Sequence, residues 1–313
     1  MRIVKDHARV MVPATSGNLG SGFDALGMAL DVWDDVSATL TTGATRVTIL
    51  GEGAKELPKD DSHLIARVMH ETLERLGLPA AGIDLVCRNS IQQGKGMGSS
   101  AAAIVAGLML VRELIDQPEA LSPERMLEIA TEYEGHPDNA APCIYGGATL
   151  SWRDGEAIAA GSDGESTVGV AGALHTVRLA VHPSVATSLL VPAEILPTKE
   201  ARAVLPQSVP HRHAALQAAR SALLVYALEH DPSLLFEATA DLLHQDYRSS
   251  SMPHSAAMLR ALRDSGWPAV ISGAGPSILL FAPVDGALAQ VAAAHGFQVI
   301  DSKQVSGAHA VAE

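Results

Sequence analysis

Glycines at positions 94, 96 and 98 are followed by Ser99, Ser100 and an apolar run through Ile104, Val105, Leu108, Met109, Leu110 and Val111. This pattern constrains the chain more than any other. Upstream, Gly82 to Arg88 reads as a strand, so the glycines fall in a strand-to-helix turn. Glycine lets a backbone aim its N–H groups inward and leaves no Cβ in the path of an anion. The helix that follows points its positive end at the same spot, a ready site for phosphate. Ser99 or Ser100 caps that helix or turns a hydroxyl toward a phosphate-bound metal ion. Two familiar phosphate signatures are absent. Lys95 precedes the last two glycines instead of ending the loop, and the glycine spacing is not that of a dinucleotide fingerprint.

The 313 residues predict two domains sharing a cleft. With 47% apolar and 4% aromatic residues, the core must rest on Ala, Val, Leu and Ile. A net charge of -13 without a basic stripe excludes nucleic acid as a partner. Cys87 and Cys143 sit in apolar surroundings without CxxC spacing and read as buried free thiols of a reducing compartment. No secretory signal precedes residue 11, and the apolar run from Ala101 to Val111 is far short of the ~20 residues a membrane helix requires. A cytoplasmic protein with no membrane partner is the expectation.

Ala8 to Val12 reads as a strand ending at Pro13, followed by a polar, glycine-rich segment over 15–24. Ala25 to Leu40 reads as strand-like segments broken near Asp34 and Asp35. Ser62 is expected to cap a helix carrying Leu64, Ile65, Val68, Met69, Leu73 and Leu76, and Ser122-Pro123 to start another that reaches Glu134. Ala148 to Trp152 reads as a strand. Residues 153–170 mark either a hairpin or the domain boundary, and Leu174 to Val181 reads as a strand. Helices are expected around 212–229, 233–245 and 254–264, with strands at 269–272 and 278–281 flanking a glycine turn, Ser272 to Ser277. Strands grouped with helices in both halves indicate an α+β fold.

Four polar clusters fall in these loops and helix ends: Asn18 with Asp24, the serine-tipped glycine loop, Glu134-Gly135-His136-Pro137-Asp138-Asn139, and the turn from Ser272 to Ser277. Turn chemistry accounts for Asn18 and Asp24 taken alone. A helix end accounts for Gly135 and Pro137 but not for four functional side chains in six residues.

Together the clusters resemble the GHMP kinases, the superfamily of galactokinase, homoserine kinase, mevalonate kinase and phosphomevalonate kinase. The glycine loop is similar to their second motif, P-x-x-x-G-L-G-S-S-A, with Gln92 in place of proline and Met97 in place of leucine. The turn from Ser272 to Ser277 is similar to their third motif. Pro13 to Leu30 and His136-Pro137-Asp138-Asn139 most resemble the homoserine kinases.

The resemblance implies a two-domain α+β architecture with the active site in the cleft. Residues 1–165 would form an N-terminal nucleotide-binding domain resembling domain 2 of ribosomal protein S5, and residues 166–313 a ferredoxin-like C-terminal domain. It implies ATP-dependent phosphorylation of the side-chain hydroxyl of L-homoserine. Gln92, Gln93, Gly94, Lys95, Gly96, Met97, Gly98, Ser99, Ser100, Ala101 and Ala102 would wrap the ATP phosphates, and Lys95 either adds charge there or is a solvated loop lysine. Ser100 and Glu134 would hold Mg²⁺, with Glu132 as the alternative carboxylate. Arg202 and Arg248 would clamp the substrate carboxylate. Asp24 and Asp138 would receive its ammonium group, with Asn18 and His136 orienting the reactive end. Asp24 is either a base or an ammonium contact. Another GHMP kinase, such as one acting on mevalonate, and a non-catalytic ATP-binding sensor are the rival readings. A homodimer stays open.

Overall fold

Pro13 does not end the first strand. In the computed structural model, which describes residues 1–154, 158–160, 166–168 and 172–312, β1 (His7–Gly17) runs through it and pairs antiparallel with β2 (Leu26–Thr41). Pro13 faces Trp33 while Ala14 faces Leu30, so β2 bulges at residues 31 and 32. A bulge is where a residue without an N–H is tolerated inside a ladder. The break expected at Asp34 and Asp35 is absent because both carboxylates find partners. Asp34 accepts the N–H groups of Ser90 and Ile91, and Asp35 takes both arms of Arg9.

β3 (Arg46–Gly51) and β4 (Gly82–Asn89) extend this sheet on the far side of β2, and β5 (Ala148–Arg153) pairs with the start of β2. The stretch read as a hairpin or a boundary contains an antiparallel pair, β6 (Ile158–Ala160) with β7 (Ser166–Val168). The boundary expected between residues 165 and 166 adjoins 161–165, which lie outside the described residues. Beyond it, β8 (Leu174–Leu179) still pairs with β5 in the first sheet.

Four helices accompany this sheet: α1 (Leu64–Arg75), α2 (Ser99–Leu114), α3 (Pro123–Glu134) and α4 (Ala140–Tyr145). Ser122 caps α3 as expected, accepting the Arg125 N–H. Ser62 does not cap α1. It bonds to Asp60, and His63 stands at the cap position.

A second, four-stranded antiparallel sheet has the order β10 (Ala269–Ile271), β11 (Ile278–Leu280), β9 (Thr187–Pro192), β12 (Phe297–Ser302). Around it lie α5 (Thr198–Ala203), α6 (His211–Glu229), α7 (Leu235–Ala238), α8 (Gln245–Arg248), α9 (Pro253–Asp264) and α10 (Gly286–Ala294). The single helix expected over 233–245 is instead α7, a turn and the start of α8. The Asp241 carboxylate accepts the N–H groups of Leu243, His244 and Gln245, so a side chain replaces the helical carbonyls. The chain then returns as β13 (His309–Ala310) on the edge of β1.

The two sheets share a core. On β9, Leu189 and Val191 join the larger cluster around α2, while Leu190 faces a second cluster with Ile271, Leu280 and Phe297. This alternation puts opposite faces of one strand into two cores. Both cysteines are buried free thiols, and no described helix is long and apolar enough to cross a membrane.

Gly27 on β2 shows how closely the parts that carry the polar clusters pack. A Cβ there would lie 1.8 Å from the Asp138 carbonyl oxygen. Gly27→Ala should lower the unfolding free energy by about 1–3 kcal/mol or more, read from denaturant midpoints at unchanged m-value.

Candidate active site

The glycine loop is pinned before it can hold anything. Asp34, whose buried carboxyl is pushed up to about 6, anchors its start through Ser90 and Ile91. Further along, the Met97 carbonyl accepts the Thr15 N–H at 3.0 Å and the Gly96 carbonyl accepts the Ser272 hydroxyl at 2.6 Å. Gly96 and Gly98 have φ of +72° and +69°, and a Cβ would stand 2.1 Å from the Ser272 carbonyl or 1.9 Å from the Thr15 hydroxyl. These glycines are therefore required by close packing of protein on protein, in addition to any anion.

Gly98, in the left-handed conformation, is the N-cap of α2, so neither serine caps the helix. Ser99 and Ser100 are its first residues, and the first-turn N–H groups have no carbonyl partner inside the helix. Ser100 donates its hydroxyl to Glu134 Oε1 at 2.5 Å, at the C-terminal end of α3. Glu132, two residues earlier and so on another face of the helix, pairs with Arg75 at 2.7 Å. Glu134 is the carboxylate that faces the loop.

Gly94, Gly96, Met97, Gly98, Ser99 and Ser100 line a cavity of about 240 Å³ together with Asn18, Glu134, His136, Asn139, Arg202 and Arg248. The other loop residues expected at the phosphates do not line it. Gln92 bonds to Gln298, and Ala101 and Ala102 are fully buried. Lys95 is neither solvated nor turned toward the cavity: its ammonium is buried against the carbonyls of Pro192, Ala193 and Glu194.

Asn18 and Asp24 both take positive φ, uncommon for residues with a side chain. The Asn18 side chain ties this turn down, accepting the Asp24 N–H at 3.0 Å and donating to the Gly273 carbonyl at 2.9 Å. Arg202, from α5, donates to both Asp24 oxygens at 2.5 and 3.2 Å. These two residues, expected at opposite ends of a substrate, thus pair with each other. Arg248 shares the cavity across 46 residues of sequence but is 1% exposed. It donates to the Ala201 carbonyl at 3.1 Å, the Gly273 carbonyl at 3.3 Å and His244 Nδ1. Burial and the nearby Arg202 charge bring its guanidinium down to about 10, still charged at neutral pH.

Phe23 had no place in the sequence reading. Its ring centroid lies 5.8 Å from the guanidinium carbons of both Arg202 and Arg248. Its only signal was adjacency to Asp24.

His136 Nδ1 donates to Asp138 Oδ1. Asp138 is fully buried, and its Oδ2 has no hydrogen-bond partner among the described residues. Neither Asp138 nor Asp24 is on the cavity wall, which His136 and Arg202 line instead. Even so, Asp24, His136 and Asp138 each offer an atom within 4.8 Å of the others. Burial lowers the His136 pKa, but the Asp138 hydrogen bond and charge outweigh it, and the net shift is upward.

On the other side of Ser99 and Ser100 lies a second cavity of about 210 Å³, walled by Asp34, Leu57, His63, Ile91 and Gln93. His63 is buried there, with Nδ1 lacking a partner among the described residues and its pKa lowered by burial. Sequence reasoning missed it, because a lone histidine before a helix carries no signal.

Family models match twice, GHMP kinases N terminal domain over residues 63–147 and GHMP kinases C terminal over residues 223–300. With the cleft and its glycine loop, these matches define a two-lobed GHMP kinase, a class that takes ATP as phosphoryl donor. Among similar proteins, homoserine kinase of Streptomyces avermitilis is 46% identical over 275 residues, covering 88% of this chain and 85% of that one. That of Rhodococcus opacus is 40% identical over 301 residues, covering 95% and 94%. The crystal structure of homoserine kinase from Cytophaga hutchinsonii superposes with a TM-score of 0.80 at 28% identity, covering 99% of each chain. A mevalonate kinase of L. major, solved with R-mevalonate, shares the fold at a TM-score of 0.65 and 13% identity, covering 98% of each chain. The chain belongs to the homoserine kinase family.

The His136–Asp138 pair makes a prediction with a sign. Because the folded pKa is raised above 6.5, the pair contributes stability that is full below the unfolded value and is lost as pH rises through the folded one. NMR titration should find His136 above 6.5, and Asp138→Asn should lower it, burial and the Arg202 charge then being opposed only by the Asp24 charge. An unchanged His136 titration in Asp138→Asn would refute this.

Proposed function

We propose that this protein transfers the γ-phosphoryl group of ATP to the side-chain hydroxyl of L-homoserine, giving O-phospho-L-homoserine for threonine biosynthesis. One observation carries the reading. A single cavity joins the Ser100–Glu134 pair at the start of α2 to Arg202 and Arg248, and Arg202 pairs with Asp24, so charges of both signs stand at that end to match a zwitterion.

The phosphates lie against the start of α2, held by first-turn N–H groups and the positive end of the helix. The second cavity, beyond the serines, takes the nucleoside, with His63 Nδ1 free to bond to it. A hydroxyl and a carboxylate 2.5 Å apart fit Mg²⁺, which prefers oxygen ligands. When bound, Mg²⁺ neutralises charge on the phosphates as it builds.

The acceptor exchanges one ion pair for two. Its ammonium replaces Arg202 on Asp24, its carboxylate replaces Asp24 on Arg202, and no charge is left alone. Arg248 adds positive potential at the same wall, and the Phe23 ring lies near both guanidiniums. Held by a cation in either state, Asp24 is a poor base. The hydroxyl proton therefore leaves late, to the transferred phosphoryl group, while His136 orients the hydroxyl. Mevalonate has no amine and would leave Asp24 paired only with arginine. A sensor has no need of the Ser100–Glu134 pair. The two buried free cysteines suit the reducing cytoplasm.

ADP release should require L-homoserine and Mg²⁺, with mevalonate and galactose inactive; turnover of mevalonate in place of homoserine would reverse the assignment. Glu134→Gln should lower kcat by roughly 10²- to 10³-fold, the order for removing one transition-state electrostatic partner, while Glu132→Gln stays near wild type. Arg202→Ala should lower kcat/KM for homoserine by about 10- to 150-fold, from a charge-assisted bond of roughly 1.5–3 kcal/mol. Lysine there should rescue poorly, since it lacks the planar fork.

A further inference from the structure

Lys95 sits in the phosphate loop, yet its charge is spent elsewhere. An ammonium has three N–H donors. Here Nζ lies 2.8, 2.5 and 2.6 Å from the carbonyls of Pro192, Ala193 and Glu194, three consecutive residues where β9 ends. No donor remains for a phosphate, and the residue is 7% exposed. Three carbonyl dipoles converge on the cation, and the Glu194 and Glu52 charges also favour it, although burial lowers its pKa.

The segment it grips leads to the acceptor end of the cavity. Two residues past Glu194, the Leu196 N–H donates to the Gly94 carbonyl at 2.9 Å, a second tie to the same loop. Pro197 then caps α5, which carries Arg202 to Asp24. The Ala201 carbonyl, on the same helix, accepts Arg248 Nε. Both arginines thus depend on a short helix of six residues whose preceding chain is fastened by Lys95.

We propose that Lys95 is a positioning residue for the acceptor substrate and not a ligand of the nucleotide: by holding residues 192–194 it sets α5, and so Arg202, over the cavity. This rests on the homoserine kinase reading above. It also gives the phosphate loop a direct mechanical link to the opposite lobe.

The test uses Lys95→Met and Lys95→Arg in the full-length protein. Lys95→Met should raise the homoserine KM by about tenfold or more, as expected for misplacing a recognition group by roughly an ångström. The Kd of a non-hydrolysable ATP analogue, measured without homoserine, should change by less than about threefold, and Lys95→Arg should recover most of the KM because it keeps charge and donors. In an Arg202→Ala background Lys95→Met should add little, since both act on one contact. Loss of analogue affinity with an unchanged homoserine KM would overturn the proposal, as would a full extra KM effect in the Arg202→Ala background. Amide exchange over 192–203 in the substrate-free protein reads the anchor independently of activity. Faster exchange there in Lys95→Met supports the proposal, and unchanged exchange overturns it. If Lys95→Met does not fold, Lys95→Gln carries the same comparison. A wild-type protein inactive on homoserine would sink the proposed function alone, because the exchange measurement would still decide the anchor.

Discussion

The rest of the site depends on one backbone contact, the glycine loop pressed between β1 and the turn from Ser272 to Ser277. Gly96 meets the Ser272 carbonyl and Gly98 meets the Thr15 hydroxyl at distances where no Cβ fits. The contact puts the start of α2, from the first sheet, directly against a turn from the second. Asn18 and Arg248 then share the Gly273 carbonyl, so the turn that presses on the loop also orders the acceptor end.

Charge in this cleft is paired before any ligand arrives. Arg202 takes Asp24, His136 takes Asp138, Ser100 takes Glu134, and Lys95 takes three carbonyls. The Asp24 and Arg202 side chains are about a third exposed, so their pairing is screened by solvent and open to exchange with a ligand. The Asp24–Arg202 pair has the charge pattern of a zwitterion, and exchange costs less than exposing a bare charge. Arg248 is different. With its donors committed to Ala201, Gly273 and His244, it serves the fold and the potential of the cavity together.

The loop, the capped α3 and the strands at 82–88, 148–152 and 278–281 were legible because each rests on local spacing or local capping. The helix expected over 233–245 was not, because the Asp241 carboxylate intercepts the N–H groups that would have continued it. The same logic misled at Ser62 and at the loop serines, where capping residues stand beside a helix start without capping it. Pro13 and the Asp34–Asp35 pair read as strand ends, but a bulge and partners from distant residues absorb both. His63 and Phe23 gave no signal, since their value lies in the cavities they wall.

From the sequence alone came the α+β class, the glycine loop at a helix start, and the residue types from which phosphate, metal and zwitterion sites are built. These depend on interactions within a few residues, where spacing is geometry. Only the tertiary structure turned Glu134, and not Glu132, toward the glycine loop, turned Lys95 away from the cavity, sank Asp138 beneath His136 and joined Asp24 to Arg202. Those outcomes depend on how two sheets pack through a shared core, and pairings between residues up to 178 apart leave no trace in local spacing.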